Sequence, residues 1–182
     1  RGLGDVYKRQ LLLLAALSIL TVNAKVISYP APKGETLSSD YMVEVDGVSV
    51  PVYMAKTQHH DKKYSIAYFD FSGTVTVKIK SKLSLDHLNI LPDKYAIHPS
   101  VNKDIATFHL NEPCDISFEP DGCNSPLILF CNELETDIPS KNDPNVIYFG
   151  PGEHNPENGL IRLGSNQTLY LAGGAVVNAG IE

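Results

Sequence analysis

The feature that most constrains this chain is a two-residue alternation of apolar and polar side chains, which starts at Tyr41 and recurs as far as Cys131. It is clearest in segments 41–45 and 75–80. Successive side chains of a β-strand point to opposite faces, so this pattern predicts strands with one buried and one exposed face. Beyond the N-terminal apolar run, no segment sustains the helical period of about 3.6 residues. We therefore expect an all-β fold.

Two such segments flank the dipeptide Asp46-Gly47. Aspartate followed by glycine readily adopts the two positive φ angles of a type I′ turn, whose twist matches that of paired strands. We expect a β-hairpin here. Its buried face should carry the odd-numbered residues of 41–45 and the even-numbered residues of 48–52.

Further strand patterns follow at intervals of about ten residues and are separated by turn residues. They span 64–71, 74–80, 85–91, 106–110, 115–119 and 127–131. Short strands at this spacing are typical of two packed antiparallel sheets. We expect residues 25–138 to form an antiparallel, immunoglobulin-like β-sandwich.

The composition changes after this unit. Segment 133–145 is polar and contains Pro139 and Pro144, which cannot donate to a strand ladder, so we place a linker there and a boundary after residue 138. Very short apolar runs with glycines between them follow. They span 146–149, 160–163, 168–171 and 175–177.

Short strands joined by tight corners are typical of a parallel β-helix, in which each coil stacks on the next. We expect residues 139–182 to comprise the linker and the first coils of such a helix. Asn166 should occupy a left-handed corner, because asparagine tolerates that conformation. Tyr148 and Tyr170 should stack between successive coils.

The N-terminal residues have the features of a secretory signal peptide. An apolar run, 11–24, follows two basic residues and ends in the small residue Ala24. It is shorter than the ~20 residues that span a bilayer. We expect cleavage after Ala24, a secreted or periplasmic chain, and no membrane association afterwards. Residues 1–10 contain no Met, and the segment 5–10 matches the translation of a sequencing adapter. We therefore expect residues 1–10 not to be native.

The charge and the cysteines exclude several functions. The chain has 15 Lys+Arg against 21 Asp+Glu, with no basic run, which argues against a nucleic-acid partner. Cys114, Cys123 and Cys131 are too few for a disulfide framework and lack the Cys-x-x-Cys spacing of zinc sites. A Cys114–Cys131 bridge and buried free thiols stay open as alternatives. We expect no metal and no cofactor.

Segments 145–154, 160–163 and 165–177 resemble the start of the right-handed β-helix of secreted polysaccharide hydrolases. The likeness includes the corner Pro151-Gly152 and the run Ala172-Gly173-Gly174-Ala175. The enzymes that this region resembles are the polygalacturonase-like enzymes of glycoside hydrolase family 28 and the dextranase-like enzymes of family 49. In the dextranase-like group a β-sandwich precedes the helix. The resemblance implies a glycosidase acting on an α-linked polysaccharide such as pectin or dextran.

Inverting hydrolysis needs an acid and a base carboxylate about 6.5–9.5 Å apart. In the two families that this chain resembles, residues on later coils form the active site. They belong to an Asn-x-Asp segment, an Asp-Asp pair, a Gly-His-Gly and an Arg-x-Lys. None of these patterns occurs in residues 139–182. We therefore expect an N-terminal portion of a longer enzyme, with no catalytic residue in this chain. Asp143, Glu153 and Glu157 are expected to be solvated loop charges.

A few side chains have binding chemistry. Tyr64 and Tyr68 share a face of one predicted strand and would be the sugar-stacking residues if such a platform exists. His59-His60-Asp61 has metal-ligand chemistry, but a solvated loop is the expectation because lysines follow. His154 is expected at a surface corner. The run 166–168 fits the N-glycosylation pattern, which matters in a eukaryotic secretory route.

Two other functional classes remain open from the sequence. One is a noncatalytic adhesion or carbohydrate-binding protein with the same two kinds of unit. The other is a polysaccharide lyase on a β-helix, which would need calcium-binding carboxylates and a basic residue for proton abstraction. Paired aspartates on later coils would favour the hydrolase.

Overall fold

The computed structural model describes residues 24–56 and 63–182. Most of the predicted signal peptide and the run His59-His60-Asp61 lie outside the described residues. The described part is all-β, as predicted, and contains no α-helix. Its only helical segments are two short 3-10 turns at Asp93–Tyr95 and Glu157–Gly159.

Eleven strands are described before residue 134, and they form two sheets. They are β1 (Lys25–Ser28), β2 (Tyr41–Val45), β3 (Val48–Val50), β4 (Tyr53–Lys56), β5 (Lys63–Ser72), β6 (Val75–Ser81), β7 (Asn89–Leu91), β8 (Ser100–Asn102), β9 (Ile105–Leu110), β10 (Cys114–Cys123) and β11 (Leu127–Glu133). One sheet has the order β1-β5-β11-β10-β7, with β4 also paired to β5. The other has the order β3-β2-β6-β9-β8. We call these two sheets the sheet pair.

A single hydrophobic core contains the buried faces of both sheets. Tyr41 of β2 meets Phe118 of β10 edge to face, with 6.0 Å between ring centroids. The alternation predicted from sequence is confirmed in β2 and β6, where every odd-numbered residue is buried. The predicted hairpin is also confirmed, with φ angles of 46° at Asp46 and 83° at Gly47.

The prediction of a purely antiparallel sandwich is wrong at one place. β11 pairs with β5 in parallel, with Ile128 opposite Ile66. Between β5 and β11 the chain also forms β6, β8 and β9 in the other sheet. Neighbouring strands can be parallel only when a long connection of this kind joins them.

Two local predictions also need correction. Segment 85–91 is a strand only at Asn89–Leu91. In the residues before it, serine side chains accept backbone hydrogen bonds, as Ser81 does from Leu83 at 3.0 Å, and this competes with strand pairing. Val48, expected on the buried face, is exposed because it follows the turn on an edge strand.

The remaining strands form three parallel pairs. They are β12 (Val146–Phe149), β13 (Gly152–His154), β14 (Leu160–Ile161), β15 (Thr168–Leu171), β16 (Ala175–Val177) and β17 (Gly180–Ile181). β12 pairs with β15, β13 with β16 and β14 with β17. Val146 lies opposite Thr168, 22 residues later, so the chain makes one turn and stacks in parallel on itself. We call residues 146–181 the coil segment.

Three of the predicted short strands, 146–149, 168–171 and 175–177, have the bounds that the sequence predicted. The one predicted at 160–163 ends earlier, at Ile161. β13 and β17 were not predicted, because Gly152 and Gly180 weaken the strand signal. Asn166 has the predicted left-handed conformation, with φ of 60°.

Candidate functional site

An open cleft of about 550 Å³ lies where the first sheet meets the coil segment. Four carboxylates, an amide and a hydroxyl give it a strongly polar lining. The residues that line it are Asp70, Asn132, Glu133, Leu134, Glu135, Thr136, Asp137, Leu171 and Gly173. Carboxylate and amide groups hydrogen-bond readily to hydroxyls, whereas the concentration of negative charge disfavours anionic ligands.

Asp70 reaches the cleft because of the alternation along β5. Its neighbours Phe69 and Phe71 are buried in the core, so Asp70 lies on the outer face. Asn132 is its direct partner on β11, and the Asn132 Nδ2 donates to Asp70 Oδ1 at 3.2 Å. The parallel pairing of β5 with β11 therefore brings these two polar side chains together.

Tyr29, just after β1, contacts two residues of the cleft lining. Its ring stacks on Tyr68 with centroids 5.4 Å apart and planes 14° apart, and its hydroxyl donates to Asp70 Oδ2. Its ring also lies directly against Gly173, where an added Cβ would come within 2.3 Å of the tyrosine ring. The absence of a side chain at residue 173 thus permits the close approach of the Tyr29 ring to the coil segment.

A second tyrosine joins the coil segment to the stretch that follows β11. Tyr170 of β15 packs on Tyr148 of β12, with 5.0 Å between centroids, which confirms the predicted stacking. The Tyr170 hydroxyl donates to Glu135 Oε2. Glu135 lies in the stretch after β11 that contains no strand. Asp70 and Glu135 therefore serve as acceptors that hold tyrosines in place.

These contacts keep the phenols protonated. The hydrogen bond to Glu135 raises the pKa of Tyr170 to about 12. Burial, followed by the hydrogen bond to Asp70, raises the pKa of Tyr29 well above its ordinary value. Burial also raises the pKa of Tyr41, Tyr53 and Tyr68. All five phenols are protonated at neutral pH.

We expect this set of tyrosines to make stability fall in alkali. A tyrosine with a raised folded-state pKa contributes its full stabilisation below the unfolded pKa, and that contribution is lost as pH rises through the folded pKa. For Tyr170 this window runs from about pH 10 to about pH 12. Phenolate absorbance is titrated against pH for the folded protein and for the chain in denaturant. In the folded protein, part of the absorbance increase should occur at higher pH than in denaturant. Tyr170→Phe should remove one late-ionising group, and identical folded and denatured titrations would contradict the expectation.

None of the candidate site residues named from the sequence lines this cleft. Tyr64 and Tyr68 do share the outer face of β5. However, Tyr29 covers one face of the Tyr68 ring and Tyr53 meets it edge-on at 6.5 Å. Tyr68 therefore packs against Tyr29 and Tyr53 and does not present the open sugar platform for which it was a candidate.

The other predicted residues lie elsewhere and make local contacts. His154, expected at a surface corner, instead ends strand β13, is partly buried, and its Nε2 lies 2.7 Å from the Gly150 carbonyl oxygen. Asp143 accepts the Asn145 backbone N–H at 2.8 Å, and Glu153 accepts from Asn178 at 3.2 Å.

One Asn-x-Asp pattern does occur outside the coil segment, at Asn102-Lys103-Asp104. It forms the turn between β8 and β9, where Lys103 has a φ of 56° and Asp104 pairs with Lys80 at 3.4 Å. It lies in the second sheet and does not line the cleft described above. The pattern is therefore a hairpin turn here.

The cleft itself was not predicted from the sequence. Alternation along β5 could have placed Asp70 beside Tyr68, two residues earlier. No local sequence pattern predicts the contact between Tyr29 and Gly173, because the two residues are far apart in the chain.

Within residues 24–56 and 63–182, no three His, Cys, Asp or Glu side chains are grouped so as to hold a metal ion. In the same part of the chain no helix is long and apolar enough to cross a bilayer.

Comparison with known proteins gives a likeness of fold. No family model matches the sequence, and no curated protein sequence matches it. Among solved structures, Dex49A from Penicillium minioluteum is similar, with a TM-score of 0.57 at 16% identity. The match covers 81% of this chain and 43% of Dex49A, so the chain spans less than half of that protein's length. The fold of this chain is therefore all-β and similar to that of a β-helix glycoside hydrolase.

Proposed function

We propose that this chain is the N-terminal portion of a secreted glycoside hydrolase that cleaves an α-linked polysaccharide by acid/base hydrolysis. In this proposal residues 25–138 are an ancillary β-sandwich, residues 139–182 are the linker and the start of a right-handed β-helix, and the catalytic carboxylates lie on coils beyond residue 182. The observation that carries the proposal is the stack of three parallel strand pairs directly after the sheet pair.

The similarity to Dex49A supports this assignment. Dex49A is a family 49 dextranase with a β-helix, and the match covers 81% of this chain. At 16% identity the likeness concerns the scaffold, so the substrate must be argued from the chain itself.

The lining of the cleft favours a neutral polysaccharide over an anionic one. Glu133 and Asp137 contribute negative charge beside Asp70 and Glu135. A polymer with a carboxylate on each sugar would be repelled, whereas the hydroxyls of a neutral glucan could donate to these groups. A dextran-type substrate therefore fits this end of the enzyme better than a pectin-type one.

In the proposed enzyme the sheet pair stabilises the start of the helix. The first coil of a solenoid exposes apolar side chains and unpaired strand edges unless another unit covers them. Tyr29 packs on Gly173, and the stretch after β11 provides the acceptor for Tyr170. This role requires no sugar contact by the sheet pair.

The proposal is tested by extending the reading frame. The source locus is sequenced past the codon for Glu182, and the extended protein and the 182-residue chain are assayed for reducing-sugar release from dextran and from polygalacturonate. We expect further glycine-cornered coils with an Asp-Asp pair, release by the extended protein with dextran preferred, and none by the 182-residue chain. Substituting asparagine for either paired aspartate should abolish release.

Three outcomes would overturn the proposal. A stop codon directly after Glu182 would leave no catalytic coil. An extended protein that retains dextran in a pull-down but releases no sugar would instead be the noncatalytic adhesion protein, and calcium-dependent release of unsaturated products would identify the lyase.

A further inference from the structure

Cys114 and Cys131 lie directly opposite each other on the antiparallel strands β10 and β11. Both side chains are buried, with 6% and 1% of their surface exposed. Direct partners on antiparallel strands have Cα atoms about 4.5–5.5 Å apart. Disulfides span Cα distances of about 4.4–6.8 Å, so the strand register alone places this pair within bonding range.

The pair can also be reached from solvent. An open depression of about 250 Å³ has both cysteines in its wall, together with Tyr95, Pro113, Asp115, Asn132 and Glu133. Cys123, by contrast, is exposed at the far end of β10. The opposed pair is therefore separate from the third thiol.

We propose that Cys114 and Cys131 form a reversible cross-strand disulfide when the protein meets a small-molecule disulfide such as glutathione disulfide. All three cysteines are thiols in the structure, which corresponds to the reduced form. The proposal goes beyond the proposed glycosidase function and does not depend on it.

Cys114 is the attacking thiol. The hydrogen bond with Cys131 lowers the pKa of Cys114, and the same hydrogen bond together with burial raises the pKa of Cys131. The thiolate is the nucleophile in disulfide exchange, so the side chain that ionises more readily reacts first. Cys114 is also the more exposed of the two.

The exchange has two balanced steps. The Cys114 thiolate attacks one sulfur of glutathione disulfide, which forms a mixed disulfide and releases one glutathione thiolate. The Cys131 sulfur, on losing its proton, attacks the Cys114 sulfur, which forms the intramolecular bond and releases the second glutathione. The two thiol protons end on the two glutathione molecules, and the glutathione disulfide is the oxidant.

The test counts thiols on the full chain equilibrated with glutathione and glutathione disulfide. Alkylation in denaturant, read by mass, should find three thiols in the reduced protein and one after oxidation. Peptide mapping should recover a Cys114–Cys131 linked fragment. Cys123→Ser should form the same bond and leave no thiol, and it removes the possibility of exchange through the exposed cysteine. The oxidised form should melt about 5–10 °C above the reduced form, because the bond restricts the conformations of the unfolded chain.

Three free thiols in the oxidised protein, or a bond that includes Cys123, would overturn the proposal. Cys114→Ser and Cys131→Ser provide matched controls, since each removes one partner and should abolish any intramolecular bond. Because the wild type and Cys123→Ser keep both partners, the answer does not depend on the folding of the two control variants.

Discussion

Replacing Phe118 with alanine is expected to lower the free energy of unfolding by about 3–5 kcal/mol. The side chain is fully buried and lies in the core that both sheets share. On one side it meets Tyr41 of the opposite sheet, and its strand partners are Ile90 and Leu127. Alanine removes the aromatic contact and leaves a cavity that the surrounding strands can close only in part.

Phe130→Ala is the matched control, since it removes the same atoms from the same hairpin. Phe130 is 38% exposed and lies on the outer face of β11. Urea unfolding of the full chain should therefore show a small shift for Phe130→Ala and a large fall in midpoint for Phe118→Ala. Equal shifts for the two variants would contradict a core shared by both sheets.

The parts of the fold that depend on local signals could be predicted from the sequence. The strand Val75–Ser81 follows from its alternation, and the turn at Asp46-Gly47 follows from residues that tolerate positive φ. The stacking of Tyr148 on Tyr170 also belongs here, because short strands at a constant spacing bring equivalent positions into register.

The parts that depend on how distant strands meet could not be predicted. Nothing local distinguishes a parallel β5–β11 pair from an antiparallel one, because both require the same alternation on each strand. The cleft has the same origin. Asp70 and Asn132 become neighbours only through that pairing, and Tyr29 reaches Asp70 across 41 positions of the chain.

Replacing Gly173 with alanine is expected to destabilise the contact between the sheet pair and the coil segment, at a cost of about 1–3 kcal/mol. The new methyl group would overlap the Tyr29 ring, with three ring and hydroxyl atoms within 2.4 Å of the Cβ position. The ring would have to move away, which breaks its stacking on Tyr68 and its hydrogen bond to Asp70. We expect a lower thermal midpoint and faster proteolytic cleavage within the coil segment.

Gly180→Ala is the control for this substitution. Gly180 also lies in the coil segment and has no positive φ, but its added Cβ would lie 3.8 Å from Leu160, an ordinary contact. The effect of this variant on the thermal midpoint should therefore be small. A comparable loss in both variants would mean that the coil segment tolerates no added methyl group, whatever its neighbour.

A double-mutant cycle with Tyr29→Ala separates the clash from any other effect of the added methyl group. If overlap with the Tyr29 ring is the cause, Gly173→Ala should cost little once that ring is gone, within about 0.5 kcal/mol of no effect. If the cost is unchanged in the Tyr29→Ala background, the contact does not link the two regions. A non-additive result would mean that the Tyr29 ring couples the stability of the sheet pair to that of the coil segment. The ring lies just after β1, and a glycine 144 residues later leaves the space for it.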